Sequence, residues 1–365
     1  MSARDDLAAS GAALLEEGQG GFRVTPPSIA SLARAVAVAR AHGLPLRVRG
    51  SGDAPGLPPD RGVLFDLAAL DRIASVDPGT GISRVEAGCG VAALESAVRR
   101  AGCTLGPLLP SVRSGSVGAW LAGPTRGERG VAGLRRQTAA LTVAAVLADG
   151  RIAEGRPAPA KAVGPDLDHL TLGGAGRLSI VAAAWIRLFP ATPQLCSAFF
   201  CPSLADALGA VEMLCRRRLA PVRARIQAGP EGARLALAWE GIESAAIDRD
   251  RSERALAGRF PREEVPPKWV REGPDGHPVE VDARWGALRA WSGRGDLHLI
   301  GLHPGGAFAV LCLPEARAAE ECAALARAAG AKVIAPRRMR DSGPGWEAAG
   351  AGAAWSRLID ALGVS

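Results

Sequence analysis

Three glycine-rich stretches in the first half of the chain constrain its fold more than any other feature. They read RVRGSGDAPG at 47–56, PSVRSGSVGAWLAG at 110–123 and VGPDLDHLTLGGAGRLSIV at 163–181. The first follows a strand-like run, and a strand followed by a glycine-rich turn aims backbone N–H groups at an anion. The sequence therefore predicts a phosphate-binding loop there, with the carboxylate of Asp53 as an unexpected group in its middle.

Helix and strand patterns alternate up to residue 190. Apolar residues recur at helical spacing after Ser28, a residue suited to cap a helix. Asp149 and Gly150 separate two apolar runs, which is typical of a hairpin. Other predicted elements are strands in LPLRVRG (44–50), GVLFDLAAL (62–70) and SRVEAGCG (83–90), and a helix in VAALESAVRRAGC (91–103).

The pattern changes after Pro190 and Pro193 and then repeats. Helix, strand, strand, helix is followed by strand, strand, helix, strand, which predicts an antiparallel sheet of about seven strands with helices. We expect an N-terminal segment at 1–23, one domain at 24–190, a second at 191–340, and a loop and helix at 341–365.

Composition excludes several classes of function. The chain has no apolar run long enough to span a bilayer and no basic start of a signal peptide, so we expect a cytoplasmic protein. The net charge is +7, yet the basic residues come in short pieces and tyrosine is absent, which argues against a nucleic-acid partner. The 7 cysteines form no CxxC pair and the 5 histidines no metal-binding pair, which predicts free thiols and no metal site.

The three stretches, in this order, resemble the flavin domain of FAD-linked oxidases of the p-cresol methylhydroxylase/vanillyl-alcohol oxidase superfamily. That domain carries an RGGGT-like loop, a T-I-G-G stretch, and G-x-D-L followed by G-S-x-G-T-L-G-I. The resemblance covers Val24 to Pro190. The short chain and the KAVGPDLDHL stretch are most similar to the FAD-binding subunit of glycolate oxidase. GCTLGPLLPS is also similar to the alkyl-dihydroxyacetonephosphate synthase and D-lactate dehydrogenase branches.

The resemblance implies an α+β fold in which two subdomains clasp FAD and an α/β cap with an antiparallel sheet follows. Asp53 stands where some relatives carry a histidine that attaches the flavin covalently, so the implied FAD is non-covalent. The implied cofactor-binding residues are Arg49, Gly50, Ser51, Gly52 and Asp53 in the first stretch, Ser111, Gly115, Ser116, Val117 and Gly118 in the second, and Gly164, Asp166, Gly176 and Ile180 in the third.

Several residues depart from the family pattern. A carboxylate at position 53 repels a pyrophosphate by about 1 kcal/mol at ~4 Å in water, unless Arg47 and Arg49 offset it or Asp53 caps the turn instead. Ala119 replaces the second glycine of T-I-G-G, and Arg177 and Ser179 replace the threonine and glycine of G-T-L-G. The Y-G-x-x-R-D stretch is reduced to AGLRRQTAAL. These departures predict FAD binding that is weakened or lost.

Two hypotheses for function follow. In relatives, FAD accepts a hydride from C2 of a 2-hydroxy acid, a base takes the hydroxyl proton and an arginine holds the carboxylate. Here His303, or else His298, is the candidate base, with Arg284 or Arg289 as the candidate arginine. The alternative for these residues is a partly buried strand histidine and solvated arginines. The chain is accordingly a glycolate-oxidase-like enzyme, or a weakly FAD-binding or non-catalytic subunit that acts with partner subunits.

Overall fold

The computed structural model of this 365-residue chain describes most of its first 264 residues and several strands beyond them. Its described residues are 2–17, 21–49, 62–106, 108, 110–123, 139–158, 168–174, 176–219, 221–241, 244–264, 277–289, 296–303, 306–313 and 332–334. Within them, no helix has the length and apolar character needed to cross a membrane. No group of three potential metal-ligating side chains occurs in the same residues.

The chain begins with a four-stranded sheet of order β1-β2-β4-β3, in which β3 and β2 run parallel to β4. The helix predicted after Ser28 is confirmed, because the Ser28 side chain accepts a hydrogen bond from the Ser31 N–H. Residues before 21 also contribute to this sheet. The elements are α1 (Ala3–Ala9), β1 (Ala13–Glu17), β2 (Gly21–Thr25), α2 (Ile29–Ala41), β3 (Leu46–Arg49) and β4 (Val63–Asp66).

A second, antiparallel sheet of five strands follows in the order β5-β6-β10-β8-β9. The hairpin predicted at Asp149–Gly150 is confirmed, since Val146 on β8 pairs with Ile152 on β9. The strands are β5 (Ile73–Asp77), β6 (Ile82–Glu86), β8 (Ala140–Leu147), β9 (Ile152–Glu154) and β10 (Ser179–Arg187). The helices around them are α3 (Val91–Arg100), α4 (Pro110–Arg113), α5 (Val117–Ala122) and α6 (Asp168–Thr171), and β7 (Cys103–Thr104) pairs with β11 (Phe189–Pro190).

The two sheets share one hydrophobic core. Leu32 on α2, Phe65 on β4 and Ile180 on β10 are almost completely buried in it. The hairpin at Gly150 also packs closely on α2, where a Cβ at this glycine would lie 2.6 Å from the Ala33 carbonyl oxygen. The two halves of the first domain are thereby packed against each other.

The second half of the described chain forms an eight-stranded antiparallel sheet of order β15-β12-β14-β13-β17-β18-β16-β19. The first unit, β12 to β15, runs strand-helix-strand-strand-helix-strand along the chain. Across the sheet, the four strands of the second unit, β16 to β19, lie in the mirror image of the order of the first four. The elements are β12 (Gln194–Cys201), α7 (Leu204–Arg216), β13 (Arg223–Gly229), β14 (Gly232–Glu240), α8 (Ser244–Ala257), β15 (Arg262–Glu263), β16 (His277–Arg284), α9 (Trp285–Arg289), β17 (Asp296–His303), β18 (Gly306–Leu313) and β19 (Lys332–Ile334).

The predicted repeat and antiparallel sheet are therefore confirmed, and the α+β fold with them. The sequence analysis missed β1 and β2 in the N-terminal segment, and also β5, β12 and β16. It expected helices at 315–330 and in the C-terminal tail, which lie outside the described residues. A second core, which includes Phe199 and Trp239, begins after Pro193. The domain boundary near Pro190 stays a prediction that the two separate cores support.

The two faces of the eight-stranded sheet differ. One face packs against α7, α8 and α9 through residues such as Leu235 and Leu297. The opposite face, which we call the open face, carries Ala198, Ala236 and Ala238 near its centre. Because side chains alternate along a strand, the residues of β13 that share this face are Arg223 and Arg225.

We expect the stability of the second domain to fall at alkaline pH because it contains two buried thiols. Burial raises the pKa of Cys201 and of Cys215 to about 12. A thiol whose folded pKa is raised stabilises the folded state fully below its unfolded pKa and loses that effect as pH rises toward the folded pKa. We expect Cys215 alone to lower the free energy of unfolding on the order of 1 kcal/mol between pH ~7.5 and ~10.

Urea unfolding at these two pH values, compared with Cys215→Ala, measures the effect. Tyrosine is absent and lysines are few, so thiols dominate the change in this pH range, and Cys201 contributes equally to both proteins. The variant should show a smaller loss between the two pH values, and an equal loss would contradict the assignment to this thiol.

Candidate functional site

The first glycine-rich stretch leaves the edge of the first sheet at Arg49. Arg47 and Arg49 are both half-buried and alternate along β3, so they share one side of the strand. Gly50, Ser51, Gly52 and Asp53 lie outside the described residues. The structure therefore fixes where this loop begins, at the end of a parallel strand.

The second stretch is held against the loop that follows β6. A β-bridge joins Gly90 to Ser116, and the Val117 N–H donates to the Cys89 carbonyl oxygen at 2.9 Å. Val117 is itself buried. The Ser116 side chain accepts from the Ala119 N–H at 3.2 Å and so caps α5. The side chain of Ser111 lies outside the described part.

Gly118 has a packing reason to be glycine. Its N–H donates to the Ala87 carbonyl oxygen at 2.7 Å, and a Cβ at Gly118 would lie 2.9 Å from the Ala87 Cβ. The close approach of α5 to this loop therefore requires a glycine without any cofactor. The role of Gly118 as a residue lining FAD stays a prediction.

The third stretch contacts both of the others. Gly176 has φ +73°, a conformation that favours glycine, and a Cβ there would lie 3.7 Å from Val48 on β3. The Gly173 N–H donates to the Leu121 carbonyl oxygen at 2.8 Å. Ile180 is buried on β10, and Gly164 and Asp166 lie outside the described residues. The three stretches thus converge on one region, as their order in the sequence predicts.

The departures from the family pattern take different positions. Ala119 and Arg177 are both exposed. Ser179 is 2% exposed, and its hydroxyl forms a 2.8 Å hydrogen bond with that of Thr171. Ser179 is thus buried and hydrogen-bonded within the fold, whereas Ala119 is exposed to solvent.

Cys89 lies beside the second stretch but has the character of a structural thiol. Burial, together with the nearby carboxylates of Asp71 and Glu86, raises its pKa above the ordinary value. The thiol is therefore protonated at neutral pH and is a poor nucleophile. The described part of the chain contains five free cysteines: Cys89, Cys103, Cys196, Cys201 and Cys215.

The candidate catalytic residues of the second domain are brought to one end of the eight-stranded sheet. On β18, Gly306 pairs with Arg284 of β16 on one side and with His303 of β17 on the other. His298 pairs instead with Arg225 and with Val310, further along the sheet. His303 and Arg284 thus occupy neighbouring register positions, while the side chain of Arg289 lies outside the described residues.

Sequence reasoning missed two basic residues on the open face. Arg223 and Arg225 are half-buried, and the intervening Ala224 and the following Ile226 are buried on the opposite face. The signal was present in the alternation RARIQ, in which every second residue is polar. The same alternation is typical of any half-exposed strand, so by itself it predicts a strand and not a site.

The comparisons with known proteins agree with this geometry. Residues 22–155 match the family model described as FAD binding domain. This part of the chain belongs to the FAD binding domain family. The match contains the first two glycine-rich stretches and every strand of the second sheet except β10, and FAD is therefore the cofactor class of the domain.

Similar curated proteins extend the match only in part. A D-lactate dehydrogenase of Archaeoglobus fulgidus is 27% identical over 54% of this chain and 45% of that protein. An uncharacterized FAD-linked oxidoreductase of Escherichia coli K12 is 26% identical over 37% of this chain and 28% of that protein. The alignments thus span less than half of each of these relatives.

Solved structures of alkyldihydroxyacetonephosphate synthase share the fold. One crystal form has a TM-score of 0.67 at 15% identity and covers 86% of this chain and 71% of that chain. A second form gives a TM-score of 0.67 at 16% identity, with 85% and 72% covered. The p-cresol methylhydroxylase type of fold expected from the sequence is confirmed.

The described residues fit an FAD site. The three stretches meet: a Cβ at Gly176 would lie 3.7 Å from the Val48 side chain, and the Gly173 N–H donates to the Leu121 carbonyl oxygen at 2.8 Å. Arg49 brings a positive charge to the start of the loop that would face the pyrophosphate. No buried acid stands among Gly115, Ser116 and Gly118 to repel it.

Proposed function

We propose that the protein is an FAD-dependent oxidoreductase that converts a small 2-hydroxy acid into the corresponding 2-oxo acid. The convergence of the three glycine-rich stretches carries this proposal. The similarity to a D-lactate dehydrogenase supports the substrate class. The glycolate oxidase type is the finer assignment that the proposal includes.

FAD, when bound, supplies the acceptor for the hydride that leaves C2 of the substrate. The chain supplies the binding and the proton transfer. Arg49 with the backbone of Gly50, Ser51 and Gly52 holds the pyrophosphate, because small residues allow a close backbone approach and arginine pairs with phosphate oxygens. The Gly115–Ser116 turn and the Gly176 turn hold the remainder of the cofactor.

His303 accepts the proton of the substrate hydroxyl, and Arg284 holds the adjacent carboxylate. Their register positions on either side of Gly306 support this pairing. An imidazole suits the task because its ordinary pKa lies close to neutral pH. His298 is the second candidate, five residues earlier on the same strand.

A second candidate function is that of a subunit that binds FAD weakly and acts with a partner subunit. The exposed methyl group of Ala119 favours it, because the family pattern has a glycine at this accessible position. The carboxylate of Asp53 in the pyrophosphate loop favours it too, through repulsion of about 1 kcal/mol or more.

The deciding experiment is to purify the chain alone, record the visible spectrum of any bound flavin, and then add D- and L-2-hydroxy acids without oxygen. We expect one bound FAD per chain and bleaching of the flavin by one enantiomer. His303→Asn should slow the bleaching at least about a hundredfold, and His169→Asn, at an exposed position of the first domain, should not.

Two outcomes would contradict the enzyme proposal. If FAD is bound but no 2-hydroxy acid reduces it, the proposed reaction is wrong while FAD binding stands. A colourless chain that does not take up added FAD, but copurifies with a flavin-containing partner, would support the subunit function instead.

A further inference from the structure

Helix α3 carries a glutamate whose side chain contacts the chain that follows the helix. Glu95 lies in the middle of α3, and only 13% of its side chain is exposed. Its Oε1 atom accepts from the Arg99 Nε at 2.6 Å, an ion pair between residues four apart on one helix. Pairs of this kind contribute little to stability. The other hydrogen bonds of Glu95 leave the helix and therefore need a different explanation.

The Glu95 carboxylate holds the segment that follows the short strand β7. Its Oε1 atom also accepts from the Thr104 hydroxyl at 2.8 Å, and its Oε2 atom accepts from the Leu105 N–H at 2.8 Å. The Thr104 hydroxyl in turn accepts from the Gly106 N–H at 3.1 Å, and Gly106 has φ +85°, a conformation that favours glycine. Thr104 and Leu105 are buried. One carboxylate thus fixes the course of the backbone from Thr104 to Gly106.

The N-terminus of α3 holds the backbone a second time, further along the chain. The Val91 N–H donates to the Gly115 carbonyl oxygen at 2.9 Å. Val91 and Glu95 are four residues apart on the helix, a rise of about 6 Å. The chain between Leu105 and Gly115 is therefore a loop with both ends bound to one helix. This loop contains α4 and with it Ser111, a residue expected to bind FAD.

Apolar contacts alone would not hold this loop with the accuracy that a cofactor site needs. Leu105, Leu108 and Val112 bury it in the core of the first domain. Burial of apolar surface is non-directional, whereas a hydrogen bond has a preferred direction and is strengthened when the acceptor is charged. The groups of a binding site need to be held within about 0.5 Å of their working positions. The hydrogen bonds of Glu95 supply that direction at the start of the loop.

We propose that Glu95 is a positioning residue for FAD, because it fixes the start of the loop that carries Ser111. The inference rests on the proposed function in one respect, that the second glycine-rich stretch binds FAD. Arg99 assists, because its guanidinium donates to the Glu95 carboxylate and, at 3.1 Å, to the Thr104 hydroxyl. Glu95 acts through the loop and takes no part in the transfer of hydride or proton.

The FAD affinity of Glu95→Gln tests this role. Glutamine keeps the size of the side chain, but its NH2 group cannot accept a hydrogen bond, so one of the bonds to Thr104 and Leu105 is lost. Titration of the flavin-free protein with FAD should give a Kd at least about tenfold higher. The visible circular dichroism of the bound flavin should change as well. Both are measured on folded protein, so a glutamate that only stabilises the fold would move neither.

A second pair of variants keeps the test independent of how well Glu95→Gln folds. Thr104→Val preserves the shape of the side chain but removes the hydroxyl that joins Glu95 to the Gly106 N–H, whereas Thr104→Ser retains a hydroxyl. We expect Thr104→Val to raise the Kd for FAD about fivefold and Thr104→Ser to bind FAD like the unmodified chain. In the flavin-free protein, amide hydrogen exchange at Gly106 should be faster in Thr104→Val than in Thr104→Ser.

Glu154→Gln is the matched control. Glu154 lies on β9 of the same domain, and its carboxylate accepts from the Arg84 guanidinium at 3.0 Å and from the Trp185 Nε1 at 3.1 Å. It therefore also binds an arginine and a second donor, but both partners lie on strands of the second sheet, β6 and β10. We expect this variant to keep the Kd for FAD and the circular dichroism of the unmodified chain.

The outcomes separate the inference from the proposed function. If Glu95→Gln and Thr104→Val keep the Kd and the circular dichroism of the unmodified chain, the positioning role is wrong and the proposed reaction is unaffected. If both variants lose affinity but no 2-hydroxy acid reduces the flavin of the unmodified chain, the reaction is wrong and the positioning role stands. If the unmodified chain binds no FAD, both are wrong.

Discussion

Replacing Gly88 by alanine is expected to destabilise the first domain strongly. A Cβ at this position would lie 1.9 Å from the Leu67 carbonyl oxygen and 2.9 Å from that of Leu70. These are backbone atoms, so no side-chain rotation relieves the contact, and the Gly88 N–H already donates to the Leu70 oxygen at 2.7 Å. We expect a loss of at least about 4 kcal/mol in the free energy of unfolding, a large part of a typical domain's stability.

Urea unfolding followed by circular dichroism measures this loss, with Gly209→Ala as the matched control. Gly209 lies within α7, and a Cβ there meets no atom within 4 Å. Alanine should stabilise this helix by up to about 1 kcal/mol, because glycine is a poor helix former. A Gly88→Ala protein that unfolds at the same urea concentration as the unmodified chain would show that the contact at Leu67 is wrong.

Gly118→Ala is expected to destabilise the protein even when no flavin is present. The added methyl group would meet the Ala87 Cβ at 2.9 Å and its carbonyl oxygen at 3.0 Å. Overpacking of this kind costs about 1–3 kcal/mol. The urea midpoint of the flavin-free protein should therefore fall, which a residue that only lines the cofactor would not cause.

Ala119→Gly is the comparison at the neighbouring position, and we expect it to strengthen FAD binding. Ala119 is exposed, so removing its methyl group disrupts no packing and costs only about 1 kcal/mol of helix stability. The glycine restores a close approach of the backbone, and FAD titration should show tighter binding. If Gly118→Ala leaves the flavin-free protein unchanged, the packing role of Gly118 is wrong, and if Ala119→Gly does not tighten FAD binding, the weakening assigned to Ala119 is wrong.

Sequence patterns predicted much of the fold because its signals are local. The cap at Ser28, the hairpin at Asp149–Gly150 and the second-half repeat each depend on residues close in the chain. The missed strands had weaker local signals. The edge strand β5 is largely exposed, β16 has a proline at its second position, and β12 follows two prolines that were interpreted only as a boundary.

The site was less predictable for the same reason. The order of the glycine-rich stretches indicated which loops meet, but the contact between Gly118 and Ala87 joins residues far apart in the chain. Such contacts depend on the packing of α5 against the β6 loop. The face shared by Arg223 and Arg225 could have been found from their alternation with Ala224, whereas the pairing of β13 with β17 is specified by no local pattern.

The mirror order of strands in the eight-stranded sheet has a consequence for how its second domain assembles. Within each half, the described strands pair with strands of their own half, and the two halves meet where β13 pairs with β17 and where α9 packs on α7. Loop closure within each half is therefore short-range, and a single seam remains for the last step of folding.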